Sequence, residues 1–244
     1  MAVFELDAVS FLYGGRPALQ DVSLQVEAGE RIALLGANGS GKSTLLRLLD
    51  GLHLPSNGSI RFHGEALTEE RLQHADFALG FRRRVGLLFQ DPDVQLFNST
   101  VFDEVAFGPL QLGWTRDEVL ARVEDALAFL DIVDLRDRAP FHLSGGEKKR
   151  VALASILVIE PEVLLLDEPT AALDPRSETQ LLDFLKTLPE KVTLIVATHD
   201  LHMAQEVAQS CCVLDRGRLI RYASTADVLS DTLALDRANL IYKR

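Results

Sequence analysis

Two separate segments of the chain combine residues suited to phosphate chemistry. Residues 36–43 read Gly-Ala-Asn-Gly-Ser-Gly-Lys-Ser and fit the pattern G-x-x-x-x-G-K-[ST]. Glycines at such positions let backbone N–H groups approach phosphate oxygens, and Lys42 adds a mobile cation. Farther along, the apolar run 163–166 is followed by two carboxylates, Asp167 and Glu168. A carboxylate at the end of a buried strand needs a partner, and Mg²⁺ is the obvious one beside a phosphate loop.

Two further apolar runs each end in a single polar side chain. Gln90 closes the run 85–90, and His199 closes the run 192–199. Ligands of open α/β sheets bind at the carboxyl ends of the parallel strands. A lone histidine after a strand is usually structural, but its place after Asp167 and Glu168 favours a role in the same site.

These side chains require a particular scaffold. Alternating and apolar runs predict strands at 4–6, 9–11, 19–24, 31–35 and 58–64. The spacing of the leucines predicts a helix over 42–49, directly after the glycine loop. Strand, loop and helix in this order are the context that a phosphate loop requires.

The second part of the chain predicts helices first and then an alternation of strands and helices. Residues 91–158 read as a mostly helical insertion, with helical spacing over 115–130 and 144–158. Strands at 163–166, 192–197 and 211–214 then alternate with helical segments at 176–188 and 200–208. Such alternation predicts an α/β fold in which helices cover a mainly parallel sheet.

Composition narrows the range of partners. The chain has 244 residues, of which 47% are hydrophobic, so a full core can form. Its formal charge of −11 argues against a nucleic-acid partner, and the short cationic runs 82–84 and 148–150 are expected to be solvated. Cys211 and Cys212 are adjacent and are expected to be reduced core residues. No window has the roughly 20 apolar residues of a membrane span, so work at a membrane would require docking on another chain.

A third motif determines the family that the chain resembles. The segment Leu143-Ser-Gly-Gly-Glu147, called the signature segment below, lies between the phosphate loop and Asp167. Small-molecule kinases, GTPases and motors share the phosphate loop but do not carry this segment there. The order of the three motifs resembles the ATP-binding-cassette (ABC) ATPases.

The resemblance implies a fold and a division of the chain. An ABC ATPase has a P-loop NTPase core of mainly parallel sheet, an N-terminal antiparallel β subdomain and a helical subdomain. We therefore expect one domain over 1–244. Its β subdomain and phosphate-loop core would occupy 1–90, its helical subdomain about 91–158, and the rest of the core 159–244.

The resemblance also implies roles for individual residues. Glu168 would polarise the attacking water, His199 would contact the γ-phosphate, and Gln90 would reach the metal and the water. Mg²⁺ would be held by Ser43, Gln90 and Asp167, and Asp174 matches the family's D-loop. ATP would be bound by Tyr13, which resembles the aromatic residue that stacks on adenine, and by Gly36, Asn38, Gly39, Ser40, Gly41, Lys42, Ser43 and Thr44.

A single copy of the chain would form only part of each catalytic site. In the family, the segment that corresponds to Ser144, Gly145, Gly146 and Glu147 contacts the γ-phosphate held by a second subunit, at the N-terminus of a helix. The chain has one phosphate loop and one signature segment. The resemblance therefore implies a second ABC ATPase subunit, which would be another copy or a close relative.

Residues 89–113 favour one branch of the family. They resemble the segment after Gln90 in ATPases of energy-coupling-factor importers and their cobalt and nickel relatives. The apolar residues of this segment would then accept a helix of a transmembrane partner, although they could instead be subdomain core. These residues are Val94, Leu96, Phe97, Val101 and Phe102.

The sequence thus predicts the ATP-hydrolysing subunit of an importer for cobalt, nickel or a vitamin. It would act at the cytoplasmic face of the membrane, with a transmembrane coupling subunit and a membrane-embedded substrate-binding subunit. The alternatives are a soluble ABC ATPase without a transport role and the ATPase of another ABC transporter class. The transported substrate is not predicted.

Overall fold

The computed structural model describes residues 1–241, which contain two β-sheets. The smaller sheet is antiparallel and has the strand order β2-β1-β4-β5. Its strands are β1 (Ala2–Tyr13), β2 (Arg16–Glu27), β4 (Asn57–Phe62) and β5 (Glu65–Ala66). The inward residues of β1 and β2 alternate with exposed ones, as expected for strands that cover a core with one face.

The larger sheet has the order β10-β9-β3-β8-β7-β6. Neighbouring strands from β9 to β6 are parallel, and β10 is antiparallel to β9. The strands are β3 (Arg31–Leu35), β6 (Val85–Leu88), β7 (Val163–Asp167), β8 (Thr193–Thr198), β9 (Ser210–Asp215) and β10 (Arg218–Ser224). Every residue of β6, β7 and β8 is buried, which is typical of parallel strands covered on both faces.

Helices cover this sheet and form a separate group between β6 and β7. The helices are α1 (Lys42–Leu49), α2 (Glu69–Gln73), α3 (Ala75–Arg84), α4 (Val101–Gln111), α5 (Arg116–Phe129), α6 (Gly145–Leu157), α7 (Pro175–Thr187), α8 (Leu201–Val207), α9 (Thr225–Ser230) and α10 (Thr232–Arg237). Helices α4, α5 and α6 pack on one another around buried residues such as Val105, Val123 and Val151. We call this group the helical lobe.

The fold class predicted from the sequence is confirmed, and most predicted elements are observed within a few residues. The expectation of a mostly helical segment at 91–158 is also confirmed. Elements after residue 64 and after residue 216 were missed, namely β5, α2, α3, β10, α9 and α10. Most of these are short, and α3 buries only Ala78 and Phe81, so the apolar spacing is a weak signal.

Two smaller expectations concern the cysteines and membrane spans. Cys211 and Cys212 are unpaired and fully buried, and they face different core clusters, as neighbours on a strand should. Within residues 1–241, the helices are too short or too polar to cross a bilayer.

Candidate active site

The phosphate loop opens onto a cavity of about 850 Å³ at the carboxyl edge of the larger sheet. Helix α1 begins at Lys42, directly after the loop, so its N-terminal N–H groups face this cavity. The cavity collects most of the residues that the sequence assigned to ATP. Its lining includes Tyr13, Asn38, Gly39, Gly41, Lys42, Ser43, Thr44, Gln90 and Glu168.

Two glycines of the loop are required by close packing. A Cβ atom on Gly36 would lie 2.4 Å from the Oγ atom of Ser40 and 2.5 Å from the carbonyl oxygen of Leu214. A Cβ atom on Gly41, which has a φ of 110°, would lie 2.8 Å from the carbonyl oxygen of Ala18. The loop is therefore pressed between β2 and the end of β9, and larger residues would displace it.

Asp167 and Ser43 form a pair of oxygen donors at the end of β7. The Oγ atom of Ser43 donates a hydrogen bond of 3.0 Å to Oδ1 of Asp167. Burial raises the pKa of Asp167, and the hydrogen bond from Ser43 opposes this shift. A buried carboxylate beside a hydroxyl is a set of hard oxygen ligands that fits Mg²⁺. A bound cation would favour the ionised form of Asp167.

Glu168 is buried and is contacted by three side chains, those of Lys42, His199 and Thr198. The Nζ atom of Lys42 lies 3.3 Å from Oε1 of Glu168, and the same amine donates to the carbonyl oxygen of Gly36 at 2.7 Å. The Nδ1 atom of His199 lies 3.0 Å from Oε2 of Glu168. Because a carboxylate only accepts hydrogen bonds, Nδ1 of His199 must carry the proton. Thr198 adds a longer contact of 3.4 Å.

Tyr13 lies at the mouth of the cavity, at the end of β1. Its ring makes edge contacts with Phe11 and His53, with ring centroids 4.8 Å and 5.6 Å away. The side chain is 42% exposed, so Tyr13 is not a core aromatic. The ring is therefore accessible from the cavity that it lines.

The signature segment and Asp174 lie outside the lining of this cavity. Ser144 is the N-cap of α6 and forms a capping box with Glu147: each side chain bonds the other's backbone N–H. Asp174 caps α7 by accepting from the N–H groups of Arg176 and Ser177. Hydrogen bonds from Ser177 lower the pKa of Asp174. Sequence analysis did not anticipate this capping role for Asp174.

Lys149 overturns one expectation from the sequence. The run 148–150 was expected to be solvated, but Lys149 is buried, whereas Arg82, Arg83 and Arg84 are exposed as expected. The Nζ atom of Lys149 donates to the carbonyl oxygens of Glu168, Pro169 and Ala171. Burial lowers the pKa of Lys149 to about 8, and the charges of Glu168 and Asp167 oppose this shift. The turn after β7 provides the partners that a buried amine needs.

The segment after Gln90 divides into structural and exposed residues. Val101 is fully buried, and Leu96 and Phe102 pack against the core of the helical lobe, so these three belong to the subdomain core. Gln95 bridges the N–H group of Phe89 and the carbonyl oxygen of Ala152. In contrast, Val94 and Phe97 are exposed by 69% and 67%.

A buried carboxylate that sequence analysis missed holds Phe97 outward. Glu104 accepts hydrogen bonds from the N–H groups of Phe97 and Asn98 at 2.9 Å and 2.7 Å. The Phe97 ring meets Phe107 edge to face at 5.0 Å, and Leu110 is also exposed on the same helix. We call Val94, Phe97, Phe107 and Leu110 the apolar surface. In the sequence, Glu104 lies between the apolar residues Val101 and Val105. This apolar setting was the available signal that Glu104 is buried.

The comparisons with known proteins agree with this geometry. The profile of the family described as ABC transporter matches residues 19–171, more than half of the chain. The chain belongs to the ABC transporter ATP-binding family. Its core, phosphate loop and helical lobe are therefore those of an ABC ATPase that binds ATP.

Two relatives resemble this ABC ATPase over nearly its whole length. The nickel import ATP-binding protein NikO of Rhodobacter capsulatus is 51% identical over 243 residues, which cover 98% of this chain and 95% of the relative. The energy-coupling factor transporter ATP-binding protein EcfA of Methanoculleus marisnigri is 41% identical, covering 98% of this chain and 86% of the relative.

Two solved ABC ATPases share the fold. The CbiO1 protein of Clostridium perfringens, described as part of the ABC transporter complex CbiONQ, superposes with a TM-score of 0.81 at 35% identity, covering 98% of this chain and 95% of that one. The cassette MJ0796 superposes with a TM-score of 0.82 at 26% identity, covering 91% and 98%. That structure is a dimer in a post-hydrolysis state with ADP and phosphate bound.

Proposed function

We propose that this ABC ATPase powers an importer of the energy-coupling-factor type, which takes up a transition metal ion, nickel or cobalt, or a vitamin. The apolar surface, whose residues follow Gln90 in the chain, carries this proposal, because ATP chemistry has no use for exposed aromatic side chains there. The names of the nickel and energy-coupling-factor relatives support the same branch. Nickel or cobalt would be cargo bound by a membrane-embedded subunit.

The site residues divide the work of ATP hydrolysis among them. Tyr13 stacks on adenine, and the backbone from Gly36 to Thr44, including Gly39, Ser40, Gly41 and Lys42, surrounds the phosphates. Ser43, Asp167 and Gln90 would hold Mg²⁺, which would compensate the negative charge of the phosphates.

The chemical step belongs to Glu168, supported by His199. The oxygen of a water molecule bonds to the γ-phosphorus while the bond to the bridging oxygen breaks. Glu168 accepts the water's proton, and ADP and inorganic phosphate leave. His199 contacts Glu168. In this proposal it also contacts the γ-phosphate and keeps the carboxylate aimed at the water.

A second subunit completes each site. Ser144, Gly145 and Gly146 at the N-terminus of α6 contact the γ-phosphate held by the phosphate loop of the partner subunit. Glu147 holds the N-cap in place, and Asp174 lies on the turn that follows Glu168 and faces the same interface. The partner is another copy or a close relative.

The experiment that tests the function joins hydrolysis to uptake. The chain is co-purified with the membrane proteins of its own source, reconstituted in proteoliposomes, and assayed for ATP hydrolysis and for uptake of radioactive Ni²⁺, Co²⁺ or biotin. In Glu168→Gln we expect ATP binding to persist while hydrolysis falls by about one-hundred-fold or more and uptake stops.

Two controls separate the possible failures. Lys42→Ala should weaken ATP binding itself, whereas Glu168→Gln should not. Unchanged turnover in Glu168→Gln would show that another group activates the water. Recovery of the chain without membrane proteins, with hydrolysis intact, would favour a soluble ABC ATPase instead of an importer subunit.

A further inference from the structure

The helix that carries the signature segment is hydrogen-bonded to the turn that carries Glu168 through the buried side chain of Lys149. Lys149 lies on α6, five residues after the N-cap Ser144, and is 6% exposed. Its amine donates to the carbonyl oxygens of Glu168 at 3.1 Å, Pro169 at 3.0 Å and Ala171 at 2.5 Å. The three N–H donors of a lysine ammonium are thus all used inside one turn.

The backbone of this turn includes residues in an unfavourable conformation, which contacts from the surrounding structure must stabilise. Glu168 and Ala172 have φ values of 44° and 60°, which non-glycine residues seldom adopt. Within the turn, the N–H group of Ala171 donates to the carbonyl oxygen of Glu168 at 3.1 Å. Lys149 is the side chain from the helical lobe that holds its carbonyl groups.

The same helix end touches the turn at a second point. A Cβ atom on Gly146 would lie 3.3 Å from the Oγ atom of Ser177 and 3.7 Å from a methyl group of Leu173. Helix α6 therefore packs against the start of α7 as well as against the turn. A displacement of the N-terminus of α6 would therefore move both the turn and the start of α7.

We propose that Lys149 is a positioning residue that transmits movement between the signature end of α6 and Glu168. This inference rests on the proposed function, in which α6 serves the nucleotide of the partner subunit while Glu168 serves the nucleotide of its own chain. Lys149 then joins the two nucleotide sites of a dimer through one side chain. Nucleotide engaged at one site sets the position of the glutamate at the other.

The test separates catalytic positioning from folding and from binding. We compare Lys149→Met, which keeps an unbranched side chain but removes all donors, with Lys149→Gln, which is of similar length to methionine and has two N–H donors. The matched control is Lys148→Met, because Lys148 precedes Lys149 on α6 and its amine pairs with the exposed carboxylate of Asp93 instead of with the turn after β7. For each variant the kcat, the KM, the Hill coefficient for ATP, the Kd for ATP and the melting temperature are measured.

In Lys149→Met we expect kcat to fall between about ten-fold and one-hundred-fold, as for a misplaced catalytic group, with the Kd for ATP within about two-fold. The Hill coefficient should fall toward 1, Lys149→Gln should be intermediate, and Lys148→Met should resemble the unmodified protein. A folded Lys149→Met with unchanged kcat and Hill coefficient would overturn the proposal. So would a loss of kcat that only follows the loss of folded protein.

Two further outcomes keep the proposals distinct. If Lys149→Met does not fold, Lys149→Gln decides: a normal kcat and Hill coefficient in that variant overturns the role of Lys149. If Glu168→Gln, measured beside these variants, retains full activity, then the assignment of Glu168 fails. If Glu168→Gln is inactive and Lys149→Met is normal, only the role of Lys149 is lost.

Discussion

At the scale of single residues, the partners of a buried charge distinguish the groups that do chemistry from those that hold the site. Asp167 and Glu168 are buried beside Ser43, Lys42 and His199, where phosphate and Mg²⁺ would meet them. Glu104 and Lys149 are equally buried, but their hydrogen-bond partners are backbone groups. Burial alone therefore does not identify a catalytic residue, and the identity of the partner does.

Asp50 is a half-buried charge with a measurable cost. It caps the C-terminus of α1, where the helix dipole disfavours a carboxylate, and burial raises its pKa to about 7 despite the nearby Arg82. The folded protein therefore binds more protons than the unfolded chain between the ordinary value of 3.8 and about pH 7. Stability should fall as the pH rises through this window and then stay constant.

Asp50→Asn should remove this cost. We expect its advantage in melting temperature over the unmodified protein to grow from pH 5 to pH 7 and to level off above that. Since Asp50 is partly exposed, solvent reduces the gain at pH 8 to about 1 kcal/mol, or about 2–4 °C. Calorimetry at pH 5, 6, 7 and 8 measures the melting temperatures of both proteins. An advantage that is independent of pH would mean that the carboxylate is not the cause.

At the scale of elements, polar residues at the ends of strands are easier to find in the sequence than the packing of the helical lobe. Apolar strands that end in Gln90, Asp167 and His199 are visible in a single sequence, since each run is short and local. The environment of residues 91–104 is not local: Gln95 bonds to α6, and Glu104 reaches back to Phe97. For this reason Leu96, Val101 and Phe102 could not be separated from Val94 and Phe97 before the packing was known.

Lys149 was missed for a related reason. It belongs to a cationic run that composition alone assigns to the surface. However, it lies three, four and seven residues before Ala152, Leu153 and Ile156, which are buried on α6. Helical spacing therefore contained the signal for its burial, and composition concealed it.

The two neighbours Leu96 and Phe97 give a paired prediction for this segment. Phe97→Glu should leave the fold intact but bury an unpaired charge against a membrane partner, costing several kcal/mol of association. Leu96→Glu should instead destabilise the helical lobe, because Leu96 packs in its core. A pull-down with the transmembrane coupling protein, beside ATP hydrolysis and melting curves of the isolated chain, separates the two effects.

Leu233→Glu is the control for added charge at an exposed leucine outside the helical lobe, since Leu233 is 72% exposed on α10. It should keep both assembly and stability. Full assembly of Phe97→Glu would return the apolar surface to an ordinary exposed patch and would remove the observation that carries the importer assignment.

At the scale of the whole molecule, the separation of the signature segment from the cavity predicts association. In Glu168→Gln, which slows hydrolysis, ATP and Mg²⁺ should convert the chain into a compact dimer. Adding Ser144→Arg should prevent this by placing bulk and charge at the helix end that meets the partner's phosphate. Light scattering coupled to size exclusion measures the mass with and without ATP.

The control accounts for the lost N-cap. Thr115 and Glu118 form the same kind of capping box on α5, so Thr115→Arg costs a comparable cap, typically about 1 kcal/mol, away from the nucleotide interface. The Thr115→Arg protein should still dimerise. Equal loss of the dimer in both variants would assign the effect to helix stability and not to the interface.

The two buried cysteines have a practical consequence for labelling. They are the only cysteines of the chain, and burial raises the pKa of both thiols, so neither presents a reactive thiolate to solvent. A cysteine introduced on the surface would be the only one open to a maleimide. Spin or fluorescent probes can thus be attached to the helical lobe and to the core of the native sequence, with Cys211 and Cys212 left in place.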